Sequence, residues 1–322
     1  MDPIARMYLA RDEDGREQAR NYKKPPVRFR ASELSDCKRR TWYRLSGWVP
    51  APRTGFDDDW SVDGDVHHDI VRQLMLRWDV KLAGITQSED GSTHEDGFVV
   101  QSFDLEGRSL DVSTRQDGWI WHEDYGWMIM EIKSVGHWKH NYMLKAYTDG
   151  WTGEDGTHYP PGETAVVAYL TAKYPAYIYQ MHAGMAIAKA RASSQLPFDP
   201  AEQHTLDHAF LVLKDRSNCH IGFHDDKMGV LGGIVIPFVP ETWDKVLRRL
   251  YTTKGKVLDG TPPLPEYTAG SRECGYCPYR YACHDATKRR AKGLTPAIVF
   301  PDPAVGIHFD EADPSDDSGA KR

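Results

Sequence analysis

The sequence predicts a mixed α/β protein, because helical and strand patterns alternate along a single chain of 322 residues. Amphipathic or capped helical patterns and short apolar strand patterns follow one another, separated by turn residues. Helical patterns occupy 61–84, 174–193 and 240–260, and strand patterns occupy 108–121, 126–135, 207–215 and 231–239. This order favours a central sheet with helices packed against it.

The first helical pattern carries an apolar residue at every fourth position, which is typical of an amphipathic helix. The stripe consists of Val62, Val66, Ile70, Leu74 and Trp78. His67 lies nearer the middle of this stripe than His68, so we expect His67 to be a packing residue. The third helical pattern has Pro240 at its start and Gly260 at its end, as helix boundaries often do.

The remaining segments lack a clear period. Residues 1–26 are polar and are expected to form a loosely held arm, and 289–322 form an acidic, Pro- and Asp-rich tail expected to be disordered. Residues 27–288 would then form a single domain. Within it, 137–172 are rich in Gly, Asp, Trp, Tyr and Pro and predict a long loop or lid.

The composition excludes some classes of protein. No apolar run approaches the roughly 18 residues of a membrane span, and the charged N-terminus does not resemble a signal peptide. We therefore expect a soluble cytoplasmic protein, in the host cytoplasm if the gene is carried by a phage. The net charge is −7, yet residues 20–44 are strongly basic and could bind phosphate, with a solvated charge run as the alternative.

The strand pattern at 126–135 carries two charged residues, Glu131 and Lys133, in an otherwise apolar run. Alternate side chains of a strand share one face, so the two groups lie roughly 7 Å apart along it. A hairpin turn centred on Asp124 places Asp117 directly opposite Glu131. Carboxylates this close repel each other unless a cation lies between them, which predicts a Mg²⁺ site with Lys133 beside it. A simple ion pair or an exposed edge strand is the alternative.

Three cysteines form a C-x2-C-x5-C cluster near the C-terminus, a spacing typical of metal ligation. They are Cys274, Cys277 and Cys283, and Cys37 is the natural fourth ligand, which would join the two ends of the fold. Iron–sulfur and zinc both accept four cysteines, and the single C-x2-C pair favours iron–sulfur. Cys219 is left over and is expected to be an ordinary buried thiol.

Together these features resemble the RecB-like branch of the PD-(D/E)xK nucleases, specifically its iron–sulfur exonucleases such as the CRISPR-associated Cas-four-type proteins and the AddB nuclease. The resemblance covers about 31–286. The matching segments, in the order of the family, are "SELSDCKRRTWY", "GDVHH", "RQDGWI", "MEIKS", "YIYQMHAGM" and "CGYCPYRYAC". The resemblance implies a restriction-endonuclease-like core with an iron–sulfur clasp joining its N- and C-terminal segments.

The resemblance also implies the roles of individual residues. It gives His68, four residues after Gly64, as a metal ligand together with Asp117, Glu131 and the carbonyl of Ile132. It gives Lys133 and Gln180 as catalytic residues, and it gives Cys37, Cys274, Cys277 and Cys283 as ligands of a [4Fe-4S] cluster. Asp111 is the second candidate for the first carboxylate.

One residue departs from the pattern of the family. Gly184 stands where the tyrosine of Gln-x-x-x-Tyr would follow Gln180, and Tyr177 or Tyr179 could substitute for it.

The expected function is that of a Mg²⁺- or Mn²⁺-dependent exonuclease that acts on DNA ends or single strands. The setting would be recombination, repair, phage replication or CRISPR adaptation, with a possible homo-oligomer or partner protein. Interleaved cations and aromatics in the predicted loop, Trp138, Lys139, His140, Tyr142 and Lys145, would contact the DNA. A non-cutting recombination accessory protein on the same scaffold, or a zinc-stabilised DNA-binding protein, are the alternatives.

Overall fold

The structure is a computed structural model. It describes residues 3–21, 23, 27–51, 55–95, 99–105, 107–191, 195–199, 202, 205–217, 221–225, 229–268, 270–280 and 282–283. Cys219 and the predicted tail at 289–322 lie outside the described residues.

The described residues alternate between helices and strands. The helices are α1 (Pro3–Arg20), α2 (Lys38–Leu45), α3 (Gly55–Arg77), α4 (His137–Asp149), α5 (Glu163–Lys173), α6 (Pro175–Ala190), α7 (Pro240–Leu258) and α8 (Arg272–Gly275), with a 3-10 turn at Ala31–Glu33. The strands are β1 (Phe29–Arg30), β2 (Leu82–Ala83), β3 (Ile85–Gln87), β4 (Thr93–Glu95), β5 (Val99–Leu105), β6 (Arg108–Thr114), β7 (Gly118–His122), β8 (Gly126–Val135), β9 (Trp151–Thr152), β10 (His158–Tyr159), β11 (His208–Asp215), β12 (Phe223–Asp225), β13 (Gly229–Leu231) and β14 (Ile234–Pro237).

The main sheet has five strands in the order β14-β11-β8-β7-β2. Strands β8 and β11 run parallel, and the other neighbours are antiparallel, so the predicted mixed sheet is confirmed. Strand β8 lies at its centre and is buried along most of its length. A strand covered on both faces reads as a continuous apolar run, which explains the apolar sequence around Glu131.

Helices cover both faces of this sheet. On one face, Ile129 and Leu211 belong to a core cluster that includes Val166 of α5 and Met185 of α6. On the other face, Met130 and Ile132 form a second cluster with Val71 of α3. A smaller sheet, β1-β6-β5, packs against α6 and α7 through a third cluster. The charged residues of β8 therefore lie between two helical layers.

The hairpin that carries Asp117 and Glu131 has the predicted register. Strands β7 and β8 pair Gly118 with Met130 and His122 with Gly126, so the turn is centred on Asp124. The pattern at 108–121, however, was wrongly predicted as one strand. It divides into β6 and β7, which belong to different sheets, and Asp117 lies in the break between them.

Two further expectations need correction. The region 137–172 is not a long loop, because it contains α4 and α5 with two short strands between them. The helix expected at 61–84 begins at Gly55 and ends at Arg77. Its apolar stripe does not face the core, because Val62, Val66, Ile70 and Trp78 are exposed. The arm predicted at 1–26 stays a prediction; within it, Pro3–Arg20 form a helix that packs against α3.

Candidate active site

Asp117 lies directly before Gly118, the first residue of β7, and its side chain reaches strand β8. Gly118 has φ +140°, a conformation that strains other residues, and a Cβ there would crowd Ile85 at 3.0 Å and Met130 at 3.1 Å. Asp117 then accepts a hydrogen bond from the Ile132 backbone N–H to Oδ2 at 2.7 Å. The N–H and C=O of a strand residue point to the same side. The carbonyl of Ile132 therefore points to the side of β8 on which Asp117 lies.

Glu131 lies at the centre of a second set of contacts. Its Oε1 accepts hydrogen bonds from Lys133 Nζ at 2.5 Å and from Gln180 Nε2 at 2.6 Å. Lys133 also donates to Gln180 Oε1 at 3.1 Å. Gln180 comes from α6, so helix and strand are locked together at this point, and the predicted trio of Glu131, Lys133 and Gln180 is brought into direct contact.

His68 reaches the same place from the opposite side of the sheet. Its Nδ1 lies 3.2 Å from Asp117 Oδ1, whereas His67 is directed to Asp63 at 3.3 Å. The two adjacent histidines therefore have different partners, and only His68 joins the carboxylates. Asp111 lies elsewhere, in the small sheet, where it accepts a hydrogen bond from Ser102 at 2.5 Å.

Burial and neighbouring charges set the protonation of this cluster. Burial raises the pKa of Glu131 to about 7, although the Lys133 charge opposes the rise. Burial also acts to raise the pKa of Asp117, but the hydrogen bond and charge of His68, with Lys133 and the Ile132 N–H, lower it overall. Burial acts to lower the pKa of Lys133, and Glu131 and Asp117 outweigh it, so that this pKa is raised and the ammonium stays charged.

The donors in this cluster suit a hard divalent cation. Two carboxylates, an imidazole and a peptide carbonyl are ligands that Mg²⁺ or Mn²⁺ accepts. Among the described residues, hydrogen bonds to Glu131 go only to Oε1, so Oε2 remains available as a metal ligand. The side chains nevertheless bond to one another here, and among the described residues no three His, Cys, Asp or Glu side chains converge tightly enough to hold a metal ion.

Helix α6 packs closely on the sheet at Gly184. A Cβ there would lie 3.3 Å from Ile129 Cδ1, so a tyrosine at this position would require Ile129 to shift. Tyr177, one turn before Gln180 on the same helix, lies beside the site, with Lys133 Nζ 5.5 Å from its ring centroid. Of the two substitutes suggested by the sequence, Tyr177 contacts the site lysine, and Tyr179 packs with the apolar clusters instead.

Several residues near the site were not found from the sequence. Arg72 of α3 is buried and donates to the carbonyl of Asp117 at 3.4 Å and to Thr93. Asp215, at the end of β11, is buried and lies 3.0 Å from Nδ1 of the half-exposed His137. No local pattern marks these residues, because each acquires its role from a partner far away in the chain.

Aromatic and basic side chains adjoin the site on the α4 and α6 side. Lys139 Nζ lies 4.2 Å from the ring centroid of Tyr174 and donates to the hydroxyl of Tyr177 at 3.2 Å. Tyr174 and Tyr177 stack on each other, with 5.9 Å between ring centroids. Trp138 is exposed, as are Tyr142 and Lys145.

One expectation about nucleic-acid contacts is not met, and the other stays a prediction. His140 is buried and hydrogen-bonds to the carbonyl of Gly222 at 2.9 Å, so its ring is not presented to solvent. Part of the basic charge around Cys37 is paired within the chain, at positions that are still partly exposed. Arg40 contacts Asp36, Arg44 contacts Glu33, and Lys38 contacts Glu266.

The two cysteine-bearing segments lie side by side. Tyr43 of α2 stacks on Tyr279, with 5.5 Å between ring centroids, and the Ala51 N–H donates to the carbonyl of Pro278 at 2.9 Å. Cys277 and Cys283 pack against the aromatic cluster formed by Trp42, Tyr43 and Tyr279. The two segments that carry these cysteines are therefore in contact with each other.

The four cysteines are thiols that influence one another electrostatically. Burial raises the pKa of Cys283, and the neighbouring thiols of Cys37, Cys277 and Cys274 raise it further, while Arg39 opposes the rise. Arg39 is buried, and its Nε has no hydrogen-bond partner among the described groups. A cluster held by four thiolates is anionic, so a buried guanidinium beside the thiols suits it. The thiols do not converge into a metal site in this arrangement.

No family model matches the chain, and no curated protein matches it. Among solved structures, the chain is similar to SSO0001, with 11% identity and a TM-score of 0.42 over 88% of this chain and 96% of that one. It is also similar to an alkaline exonuclease, LHK-Exo, from Laribacter hongkongensis, with 13% identity and a TM-score of 0.38 over 80% and 93% of the two chains. LHK-Exo in complex with dAMP gives a TM-score of 0.38 at 11% identity, over 76% of this chain and 93% of that one.

At these identities and TM-scores, the similarities alone assign neither a family nor an activity. No described helix has the length and apolar character needed to cross a membrane.

Proposed function

We propose that this chain is a metal-dependent deoxyribonuclease, an exonuclease that acts on DNA ends or single strands. One observation carries the proposal: Asp117, Glu131 and Lys133 meet at the junction of two strands, with His68 and Gln180 supplied by helices on opposite faces. Buried acidic groups with pKa values driven apart are a common mark of a catalytic site. An ordinary ion pair needs only two side chains. Here five side chains come together from α3, α6, β8 and the residue before β7.

The residues that would hold the cation are His68, Asp117, Glu131 and the carbonyl of Ile132. A divalent cation bound there would polarise the scissile phosphate and acidify the attacking water. Lys133 has a raised pKa and stays protonated at neutral pH, so it would stabilise negative charge on the phosphate rather than act as a base. Gln180 holds both Glu131 and Lys133, and it would keep their geometry fixed as charge develops.

The four cysteines would ligate a [4Fe-4S] cluster that clasps α2 to the C-terminal segment. The adjacent thiols and the buried Arg39 support this assignment, and ligation requires the thiols to approach more closely than they do here. Since the ligands come from both ends of the described chain, loss of the cluster would remove a long-range connection. Zinc is the alternative metal for the same ligands.

Single strands would be guided by the surface of Trp138, Lys139, Tyr142, Tyr174 and Tyr177. Exposed rings beside lysines provide stacking that tolerates any base, together with charge for the backbone. Tyr177 lies between Lys139 and Lys133, so this surface reaches the site at that ring. The protein would therefore serve in DNA end processing, in recombination, repair, phage replication or CRISPR adaptation.

The test is a cleavage time course on end-labelled single- and double-stranded DNA. We expect products with Mg²⁺ or Mn²⁺ and none with EDTA. Glu131→Ala and Lys133→Ala should lower the rate by about 10²–10⁴-fold or more while DNA binding persists. Lys173→Ala is the matched control, because Lys173 pairs with Glu154 at the surface. Cleavage in EDTA, or full activity of both site variants, would show that the assignment is wrong.

A non-cutting accessory protein is favoured by one observation. The carboxylates are held by Lys133, Gln180, His68 and a backbone amide, so no metal site is preformed among the described residues. In that case the protein would bind DNA equally well with and without EDTA, and no product would form with either cation.

A further inference from the structure

His137 and Asp215 form a pair at one edge of the main sheet, outside the candidate metal site. Strands β8 and β11 run parallel and end together, since Val135 is paired with Asp215. His137 begins α4, separated from β8 by Gly136, and its Nδ1 lies 3.0 Å from Asp215 Oδ2. The side chain of His137 is 52% exposed, and that of Asp215 is 1% exposed. A buried carboxylate thus holds an imidazole that faces solvent.

The Asp215 carboxylate fixes the orientation of this ring. Its Oδ1 accepts hydrogen bonds from the Ser217 N–H at 2.9 Å and from the Ser217 hydroxyl at 2.6 Å. Burial acts to raise the pKa of Asp215, but its hydrogen bonds with Ser217 and His137 lower it to about 2, so the group is ionised at neutral pH. The ring of His137 therefore carries a proton on Nδ1. Its Nε2 is left to serve a ligand.

Asn141, one turn further along α4, completes the arrangement. Its Nδ2 lies 2.8 Å from His137 Nε2, so in the neutral ring Nε2 accepts the amide N–H. When the ring takes up a second proton, Nε2 becomes a donor and the amide turns to another acceptor. Two N–H donors are then available to one oxyanion, and the bond from the imidazolium is charge-assisted.

Charged groups from three elements adjoin the pair. At the end of β11, Lys214 donates to the carbonyl of Asp215, and the next residue, Arg216, pairs with Asp63 of α3 at 3.2 Å. On α4, the charge of His140 acts to lower the pKa of Asp215. Asp215 is the carboxylate in hydrogen-bond contact with the imidazole, so it is the counter-charge of the protonated ring.

The pair lies on the face of the sheet that carries the site lysine. Leu213 is paired with Lys133, and Asp215 lies two residues, or roughly 7 Å, further along β11 on the same face. Trp138 follows His137 and is 77% exposed, with 6.4 Å between the two ring centroids. A base stacked on Trp138 would bring its own phosphate close to His137.

We infer that His137 binds a backbone phosphate of the DNA near the scissile bond, with Asp215 as the positioning residue that holds the imidazole. Asn141 supplies a second donor to the same phosphate. The inference rests on the proposed nuclease function, because that function supplies the strand that passes Lys133. A phosphate contact carries no sequence information, so it adds affinity and register without a preference for any base.

Binding of fluorescent single-stranded DNA in EDTA tests the contact without cleavage. We expect His137→Gln to weaken binding about tenfold at about pH 6. The slope of log affinity against log salt should fall by about 0.7, the value for one phosphate of a single strand. Histidine loses its charge between about pH 5 and about pH 8, so wild type and His137→Gln should bind alike at about pH 8.5.

His122→Gln is the matched control. His122 also has an aspartate nearby, with Nδ1 3.9 Å from Asp124 Oδ2, but it lies at the hairpin turn before β8, at the other end of that strand. It should bind DNA as the wild type does at every pH. His137→Gln should keep the wild-type Tm, because the position is half-exposed. A fall in Tm that accompanies the loss of binding would assign a structural role to His137 and overturn the inference.

Asp215→Asn tests the positioning residue. Neutralising a carboxylate that merely repelled DNA would tighten binding, whereas removing the partner of the imidazolium should weaken it at about pH 6. Unchanged or tighter binding by Asp215→Asn therefore overturns the positioning role. Equal binding by His137→Gln and His122→Gln at about pH 6, with Mg²⁺-dependent cleavage intact, overturns this inference alone. A wild-type chain that neither binds nor cleaves DNA overturns the proposed function and this inference with it.

Discussion

The Asp117 carboxylate accepts a hydrogen bond from the Ile132 N–H at 2.7 Å, just beyond Gly118 and Met130, the last backbone pair of β7 and β8. The Asp117 carboxylate thus accepts a hydrogen bond that the backbone of a neighbouring strand would otherwise accept, at the point where β7 and β8 separate. The backbone edge of β8 is open there, and Glu131 and Lys133 lie on either side of the residue that is held. A charged cluster in a buried strand is possible because the sheet opens at this position.

Glu131 should make the stability of the metal-free protein depend on pH. Burial raises its pKa from the ordinary 4.5 to about 7, so between these values the folded protein keeps a proton that the unfolded chain has lost. The stabilising contribution is therefore fully present below about pH 4.5 and is lost as the pH rises through about 7. We expect the Tm in EDTA to fall between about pH 5 and about pH 8, and we expect Glu131→Gln to reduce that fall.

His68 and Asp117 do not reverse this loss of stability with rising pH. Burial acts to lower the pKa of His68, but Asp117 raises it overall above 6.5, so its contribution is lost in the same direction as the pH rises. The pKa of Asp117 is lowered from 3.8, so its contribution is lost only as the pH falls further. Added Mg²⁺ should raise the Tm more at about pH 8 than at about pH 6, since it binds the ionised carboxylate. Identical pH profiles for wild type and Glu131→Gln would contradict the prediction.

The sequence predicts the site hairpin because its information is local. The turn-prone segment at 122–126 and the apolar alternation on either side fix the register that pairs Gly118 with Met130. The break at Asp117 is not predictable in this way, since β6 and β7 both have strand character and only the tertiary fold assigns them to different sheets. Helix α4 was missed because its buried residues, His140, Met143 and Ala146, include a polar ring and a small side chain, so they give no clear apolar period.

The stripe on α3 shows a different limit of sequence reasoning. Its period correctly predicts a helix with two unlike faces, but the period does not say which face packs on the protein. The inner face contains Arg72 and His68, which are polar residues satisfied by Thr93 and Asp117. Apolar residues can remain outside when buried polar groups have partners of this kind.

Tyr177 should contribute to binding of single strands. Its ring lies between Lys133 and Lys139 and stacks with Tyr174, so removing it takes away a stacking platform and part of the environment of both cations. We expect Tyr177→Ala to weaken binding of single-stranded DNA by about 1–3 kcal/mol, measured by fluorescence anisotropy. Tyr177→Phe keeps the ring and should bind nearly as well as the wild type. Tyr125→Ala, at the distant hairpin turn, is the control, and equal losses in the two alanine variants would argue against a specific role.

The cysteine clasp should be visible in purified protein. If Cys37, Cys274, Cys277 and Cys283 hold an iron–sulfur cluster, protein prepared without oxygen should be brown and contain iron and sulfide. Cys277→Ser should lose the colour and lower the Tm, because ligation connects two distant segments. Cys219→Ser should keep both properties. Colourless wild-type protein that contains zinc would replace the cluster with a zinc site, and protein with neither metal would refute ligation.

Arg72 should be the costliest single residue to remove near the site. Its guanidinium is buried and donates to Thr93 and to the carbonyl of Asp117, and it pairs with Glu95 at 3.4 Å. Arg72→Met leaves Glu95 and these acceptors without that partner, so we expect a loss of about 3–5 kcal/mol in the free energy of unfolding. Arg248→Met, at an exposed position of α7, should change it by less than about 0.5 kcal/mol.

Arg72→Lys separates charge from geometry. It keeps the positive charge beside Glu95 but cannot donate to Thr93 and Asp117 at once, because lysine lacks the planar fork of arginine. We expect its unfolding free energy, measured by urea denaturation, to lie between those of the wild type and Arg72→Met. A lysine variant as stable as the wild type would mean that charge alone matters here, and that the position of Asp117 does not depend on the guanidinium.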